Sequence, residues 1–319
     1  MPLLDTPALS PVTVRLPGDR EAVGDILARA GRSSAEQRIF DRIYELRTVP
    51  VMEAGQQFED LLLDAALAAL DGGTVQLVLY GHTLLVQPMS YLPGFADRLR
   101  ATLGLPDVPV YGISQMACTS VLRSIVLAER FLRRPGGSAT DAVLVLGGDQ
   151  GSFGGFAQVI PGVTVSGDGA VAFVVRAGQG RYRYLAEASV RATRYHRSLL
   201  MSRDEAREFG RASAEHMVET AHRAAAAAGR KLAELDWLMP HHNNAMFWRG
   251  FSRETGYPQR RIHLDLLPEL GHSFGSDSLL ALEHADRAGL LRPGDLCLLT
   301  SIGQGSYFHA VVVEVMAPC

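Results

Sequence analysis

Apolar residues recur along the chain in two forms: short continuous runs bounded by glycine, and longer stretches with helical spacing. Phe58, Leu61, Leu62, Ala65, Leu67 and Ala69 mark an amphipathic helix over 58–70, followed by Gly72-Gly73 and a strand from Val75 to Tyr80. Val108 to Ile113 reads as a strand and Val121 to Phe131 as an apolar helix that ends at Leu-Arg-Arg-Pro-Gly-Gly. A strand from Ala142 to Leu146 leads into Gly147-Gly148-Asp149. Ser-Gly-Asp-Gly-Ala then precedes a strand from Val171 to Val175.

The second half repeats this order. Ser213 to Ala228 reads as a helix, then Gly229, then Trp237-Leu238-Met239. An apolar helix begins near Ser278 and ends at Gly-Leu-Leu-Arg-Pro-Gly-Asp. Strand Leu296 to Leu299, the loop Ser301-Ile302-Gly303-Gln304-Gly305 and a closing strand from Ala310 to Val315 complete it. Helix, Arg-Pro-Gly turn, strand, glycine-rich loop and strand therefore occur twice, which predicts a duplicated α/β protein. Its halves are residues 1–178 and 179–319. Alternating strands and helices imply parallel sheets covered on both faces. The halves are expected to stack around a shared helical layer, with a site at their junction.

Composition narrows the classes. The 319 residues, 47% of them hydrophobic, suffice for a large core. With 31 basic and 34 acidic residues and a net charge of −3, the chain is not expected to bind nucleic acid. No stretch resembles a secretory signal or a membrane span. Three cysteines give no disulfide framework, so a cytoplasmic location is expected. Cys297 lies in an apolar strand and reads as core, while Cys319 reads as incidental.

Cys118 is the leading candidate for chemistry. It sits between a strand and a helix, where unpaired N–H groups and the helix dipole favour a thiolate. A thiolate is a good nucleophile for acyl transfer, although a small buried apolar cysteine is the alternative at this point. Three further segments lie at strand ends or helix starts, where α/β proteins place their sites. They are Pro240-His241-His242-Asn243-Asn244, Gly271-His272-Ser273-Phe274-Gly275-Ser276 and Gly303-Gln304-Gly305. Singly, each also reads as a polar loop, a cap or a turn. Together they supply a nucleophile, two imidazoles and a backbone donor. Cys118, His241 and His272 lack the short ligand spacing of a metal site, so no metal is expected there.

These segments resemble the ketoacyl-ACP synthase III branch of the thiolase-fold condensing enzymes. The resemblance runs from about Phe58 to the end and is strongest from Ala214 to Val315. Pro-His-His-Asn-Asn resembles the family's Pro-His-Gln-Ala-Asn, placing His241 at its catalytic histidine and Asn244 on the supporting loop. Gly-His-Ser-Phe-Gly-Ser resembles Gly-Asn-Thr-Ser-Ala-Ala-Ser, and Leu291-Arg-Pro-Gly-Asp-Leu-Cys-Leu-Leu resembles the Gly-Asp turn and strand that follow. Gly167-Asp-Gly-Ala170 matches a family Gly-Asp-Gly-Ala. Gly303-Gln-Gly305 resembles the closing glycine-rich loop, with Gly305 and Cys118 supplying the oxyanion-hole amides.

The resemblance implies a five-layered α-β-α-β-α thiolase fold and an acyl-Cys118 intermediate. It implies no cofactor beyond the phosphopantetheine of an acyl carrier protein, or CoA, as substrate carrier. A homodimer is implied too, with the loop from Gln87 to Phe95 of one subunit lining the other's pocket. Two departures stand out. His272 replaces the family's catalytic asparagine, giving Cys118-His241-His272, which is similar to the arrangement of elongating ketosynthases. Residues 30–60 lack the tryptophan that stacks on the CoA adenine, which makes an acyl carrier protein the expected donor. Arg249 and Arg253 occupy a region where family members meet that protein. The activity implied is decarboxylative condensation of the acyl group with a malonyl thioester in polyketide or other natural-product biosynthesis. The alternatives are transfer to an alcohol or amine, with His272 a bystander to decarboxylation, and a non-catalytic partner subunit.

Overall fold

The structure is a computed structural model, and it describes residues 6–84, 94–153, 158–196 and 201–317. Among these, ten strands form one continuous mixed sheet built from two similar parts. In the first part Val110–Ile113, Leu77–Gly81 and Ala142–Gln150 run parallel, and Asp168–Ala177 returns antiparallel beside the last. In the second, Trp237–Met239 and Leu296–Gly303 run parallel and Tyr307–Val315 returns antiparallel. An isolated parallel bridge from Leu238 to Ile262 occupies the place that Val110–Ile113 holds in the first part. Tyr182–Arg191 flanks Tyr307–Val315, and Pro7–Leu9 pairs with both Asp168–Ala177 and Tyr182–Arg191, joining the two parts.

Side-chain alternation explains the layering. Val143 and Val145 of Ala142–Gln150 face a central core, whereas Leu144 and Leu146 face an outer one. Leu299, Val311 and Val313 face the same central core from the second part, while Leu298 and Val312 face a second outer one. Helices Ser120–Leu132 and Asp277–Arg287 fill the central layer through Val121, Leu122, Ile125, Leu279, Leu280 and Leu282. Phe58–Leu70 and Phe95–Leu103 cover one outside, Arg203–Ala227 and Ala245–Thr255 the other. This is the five-layered thiolase arrangement. Both faces of Ala142–Gln150, Asp168–Ala177 and Leu296–Gly303 are largely apolar because both are covered by helices. No described helix is long and apolar enough to cross a membrane.

Most expected elements form within a few residues of their sequence-derived ends. The largest difference is the helix expected from Ser213, which begins at Arg203. Its extra turns are capped by Ser202, whose side chain accepts from Glu205 N while the Glu205 side chain accepts from Ser202 N.

Candidate active site

The two central helices begin side by side, and their N-terminal ends carry the reactive groups. Cys118 lies in the single turn Ala117–Thr119 just before helix Ser120–Leu132, and it is 4% exposed. Ala117 is held at φ 49°, a left-handed conformation of the kind that clusters at functional turns. The amides of Ala117 and Thr119 donate back to Ser114 O and Met116 O, and Ser301 Oγ donates to Cys118 O at 2.8 Å. The Cys118 amide has no hydrogen-bond partner among the described residues, and neither has that of Gly305.

The two glycines of the glycine-rich loop are required for different reasons. Close approach to the Cys118 turn is made by Gly303, where a Cβ would stand 2.5 Å from Met116 O. At Gly305 a Cβ would meet the edge of the Tyr307 ring at 3.2 Å and no backbone of the Cys118 turn. There the need for glycine comes first from its φ of 84°, which L side chains rarely adopt.

His241 follows strand Trp237–Met239. Its amide donates to Thr300 Oγ1 at 3.2 Å and its carbonyl accepts Trp248 Nε1 at 2.7 Å, so both sides of its backbone are held. His272 is held by a short parallel contact: its amide donates to Val165 O and its carbonyl accepts from Gly167 N, each at 2.9 Å. The two imidazoles meet edge-on, with centroids 4.6 Å apart. Cys118 Sγ lies 3.7 Å from His272 Nε2, so His272 is the imidazole in direct contact with the sulfur.

A residue that the sequence reading did not single out organises the site. Asp277 is the first residue of helix Asp277–Arg287 and is fully buried. It accepts His272 Nδ1 at 2.7 Å, His242 N at 2.8 Å and Ser273 N at 2.6 Å. His241 Nδ1 stands 3.3 Å from the same carboxylate, out of line for a hydrogen bond. Helix N-termini favour a carboxylate. The signal available in the sequence was the acid at the head of an apolar helix, one residue beyond Ser276.

Electrostatics separate the two imidazoles. Burial opposes a charge on His272, but the Asp277 carboxylate and the Cys118 sulfur outweigh it and raise its pKa to about 10. Burial, reinforced by the neighbouring His272, lowers His241 to about 3. Burial would raise Asp277 as well, yet the surrounding imidazoles hold it well below the usual carboxylate range. At neutral pH one imidazole is therefore charged and the other neutral. Thiol, imidazole and carboxylate are joined in the order that nucleophilic catalysis can use.

The remaining expected residues are more peripheral. Asn244 caps helix Ala245–Thr255, accepting from Phe247 N at 2.9 Å, and its Nδ2 donates to Val163 O. Arg249 is already engaged with Glu45 at 2.5 Å and Ile43 O at 3.0 Å. Arg253 is exposed on the same helix. Cys297 is buried in the core. Most of the Gln87 to Phe95 loop, and Cys319, lie outside the described residues; Phe95 itself starts a helix and is buried. A second buried carboxylate, Asp149, accepts the amides of Thr83 and Leu84, and burial pushes it up to about 7.

Residues 225–315 match the family model described as 3-oxoacyl-(acyl-carrier-protein) synthase III C terminal. The β-ketoacyl-(acyl-carrier-protein) synthase III of Rhizorhabdus wittichii is 25% identical over 289 residues, 84% of this chain and 88% of that protein. Among solved structures, ChlB3, named an acyltransferase, superposes with a TM-score of 0.82 at 23% identity, covering 98% of both chains. The 3-oxoacyl-(acyl-carrier-protein) synthase III of Aquifex aeolicus superposes with a TM-score of 0.79 at 20% identity, covering 97% of this chain and 99% of that one. The duplicated fold and the match over residues 225–315 converge: the chain has the thiolase fold and is similar to the ketoacyl-ACP synthase III enzymes.

Proposed function

We propose that this enzyme takes an acyl group from a carrier-protein thioester onto Cys118 and passes it to an alcohol or amine in a natural-product pathway. The observation that carries the reading is Asp277, whose carboxylate faces the Nδ1 atoms of both imidazoles. A carboxylate can only accept, so it favours a proton on each Nδ1. For neutral His241 this leaves the Nε2 lone pair free, the form of a general base. A condensing site instead needs Nε2–H donors to hold the enolate of the decarboxylated extender.

In the first half-reaction the Cys118 thiolate attacks the thioester carbonyl. The oxyanion is held by the amides of Cys118 and Gly305, neither of which has another partner among the described residues. The carrier sulfur departs and takes the Nε2 proton of His272. In the second half, His241 removes the acceptor's proton as the acceptor attacks acyl-Cys118. Cys118 leaves as a thiolate, and the proton passes to His272, which restores the ion pair. A carrier protein is preferred to CoA as donor because no tryptophan lies between residues 30 and 60 to stack on an adenine.

Decarboxylative condensation is the second reading. It is favoured by the two imidazoles placed edge-on beside Cys118, since charged His272, once the sulfur is acylated, has an Nε2–H to offer a thioester carbonyl. Intact-protein mass spectrometry with acyl-ACP and acyl-CoA donors separates these readings, with Cys118→Ala alongside. An adduct on wild type alone that alcohols or amines discharge, and that malonyl-ACP leaves intact, supports transfer. Discharge by malonyl-ACP with release of CO₂ overturns it in favour of condensation. No adduct from any donor overturns both.

A further inference from the structure

Besides the catalytic group, one other cluster among the described residues brings together metal-ligating side chains: His263, Asp265 and His284. His263 and Asp265 lie two apart on the segment that follows the bridge from Leu238 to Ile262, with Asp265 at the start of a turn. His284 comes from the last turn of helix Asp277–Arg287. His263 Nε2 and His284 Nδ1 are 2.8 Å apart, and His263 Nδ1 is 4.0 Å from Asp265 Oδ2. One ligand atom from each of the three lies within 4.8 Å of the others. His263 is buried and held, its amide donating to Leu238 O at 3.0 Å and its ring meeting the edge of Trp237. Asp265 is 67% exposed, which leaves a solvent approach.

We propose that His263, Asp265 and His284 form a site for a divalent transition-metal ion, outside the catalytic centre. Two imidazoles and one carboxylate suit Zn²⁺, Co²⁺ or Ni²⁺, whereas Mg²⁺ and Ca²⁺ prefer oxygen alone. Tetrahedral Zn–N bonds of about 2.0–2.1 Å separate two ligand nitrogens by about 3.3 Å, so the rings need part by only about 0.5 Å. The ion takes the place of the proton the two rings now share. Water completes the coordination on the side of Asp265. A bound ion would tie the segment leading to His272 to the helix that begins with Asp277.

The test is calorimetric titration of chelator-treated protein with ZnCl₂ and CoCl₂, with MgCl₂ as control. Wild type and His241→Ala, which disrupts the catalytic cluster, are expected to bind one equivalent with micromolar affinity. The Co²⁺ complex should show the intense visible bands of tetrahedral geometry. His284→Gln and Asp265→Ala should weaken binding at least tenfold and about threefold respectively. Thermal melts without metal establish that each variant is folded. Loss of binding in His241→Ala with retention in His284→Gln would assign the ion to the catalytic group and overturn the proposal. So would the absence of binding to wild type.

Discussion

Replacing Asp277 by Asn tests the electrostatic core of the site at nearly constant volume. The carboxylate accepts from His272 Nδ1, His242 N and Ser273 N. A carboxamide has one oxygen, so in either orientation its NH₂ faces at least one of these donors. The charge that holds His272 protonated is also lost, and burial then drives that imidazole neutral. Breaking a buried ion pair by removing one partner costs about 3–5 kcal/mol. The same range follows from the imidazole, because a pKa of about 10 in place of 6.5 corresponds to roughly 5 kcal/mol at about 1.4 kcal/mol per tenfold. The direction with pH is fixed. His272 is raised in the folded state, so its contribution is complete below its unfolded value of 6.5 and fades as pH rises to about 10. Asp277 is depressed, so its contribution is present above 3.8 and fades as pH falls below that value. Urea denaturation of wild type and Asp277→Asn should therefore show a gap that is largest between about pH 4 and 6.5 and narrows toward pH 10. At neutral pH the acylation rate of Cys118, followed by intact mass, should fall about 10²–10³-fold, as expected for losing about 3–4 kcal/mol of stabilisation. A gap that does not change with pH, or acylation within twofold of wild type, would refute the ion-pair reasoning.

Three further outcomes follow from the same geometry. His241→Ala should still form acyl-Cys118 but slow its discharge to an acceptor about 10²–10⁴-fold, the usual range for losing a general base, as read in single-turnover mass spectra. Because His241 stays neutral down to about pH 3, the second half-reaction measured on pre-acylated enzyme should lose no activity between about pH 7 and 5 from protonation of this residue; a fall with midpoint near 6.5 would contradict its assignment. Gly303→Ala places a Cβ 2.5 Å from Met116 O, which should destabilise the fold by about 1–3 kcal/mol in thermal melts and misplace Cys118, whereas Gln304→Ala should do neither.

The duplicated architecture was legible because both faces of the long strands are covered. Ala142 to Leu146 and Val171 to Val175 carry apolar residues at every position, a pattern that strands covered on both faces require. Cys118, His241 and His272 were legible as motif positions and are neighbours in space. Asp277 was not, because an acid at the start of a helix is common and its contacts depend on two loops meeting. The start of helix Arg203–Ala227 was missed because its first turns face solvent and show no apolar stripe. Only the pairing of Ser202 with Glu205 marks it. Strand Pro7–Leu9 gave no signal either, since three residues are too few to display a period.

That short strand bears on how the chain reaches its fold. Leu9 pairs with Val175 on one side and Tyr182 on the other, so it must wait for partners more than a hundred and sixty residues away. Such distant pairings raise the contact order and slow folding. The neighbouring strands Asp168–Ala177 and Tyr182–Arg191 lie close in sequence and offer a ready template. Tyr307–Val315 must in turn find Tyr182–Arg191 from the far end. Folding is thus expected to start in the middle of the chain and to finish at both ends. An N-terminal segment that reaches its groove late leaves two strand edges open in the meantime, and these are where a nascent chain would be most prone to aggregate.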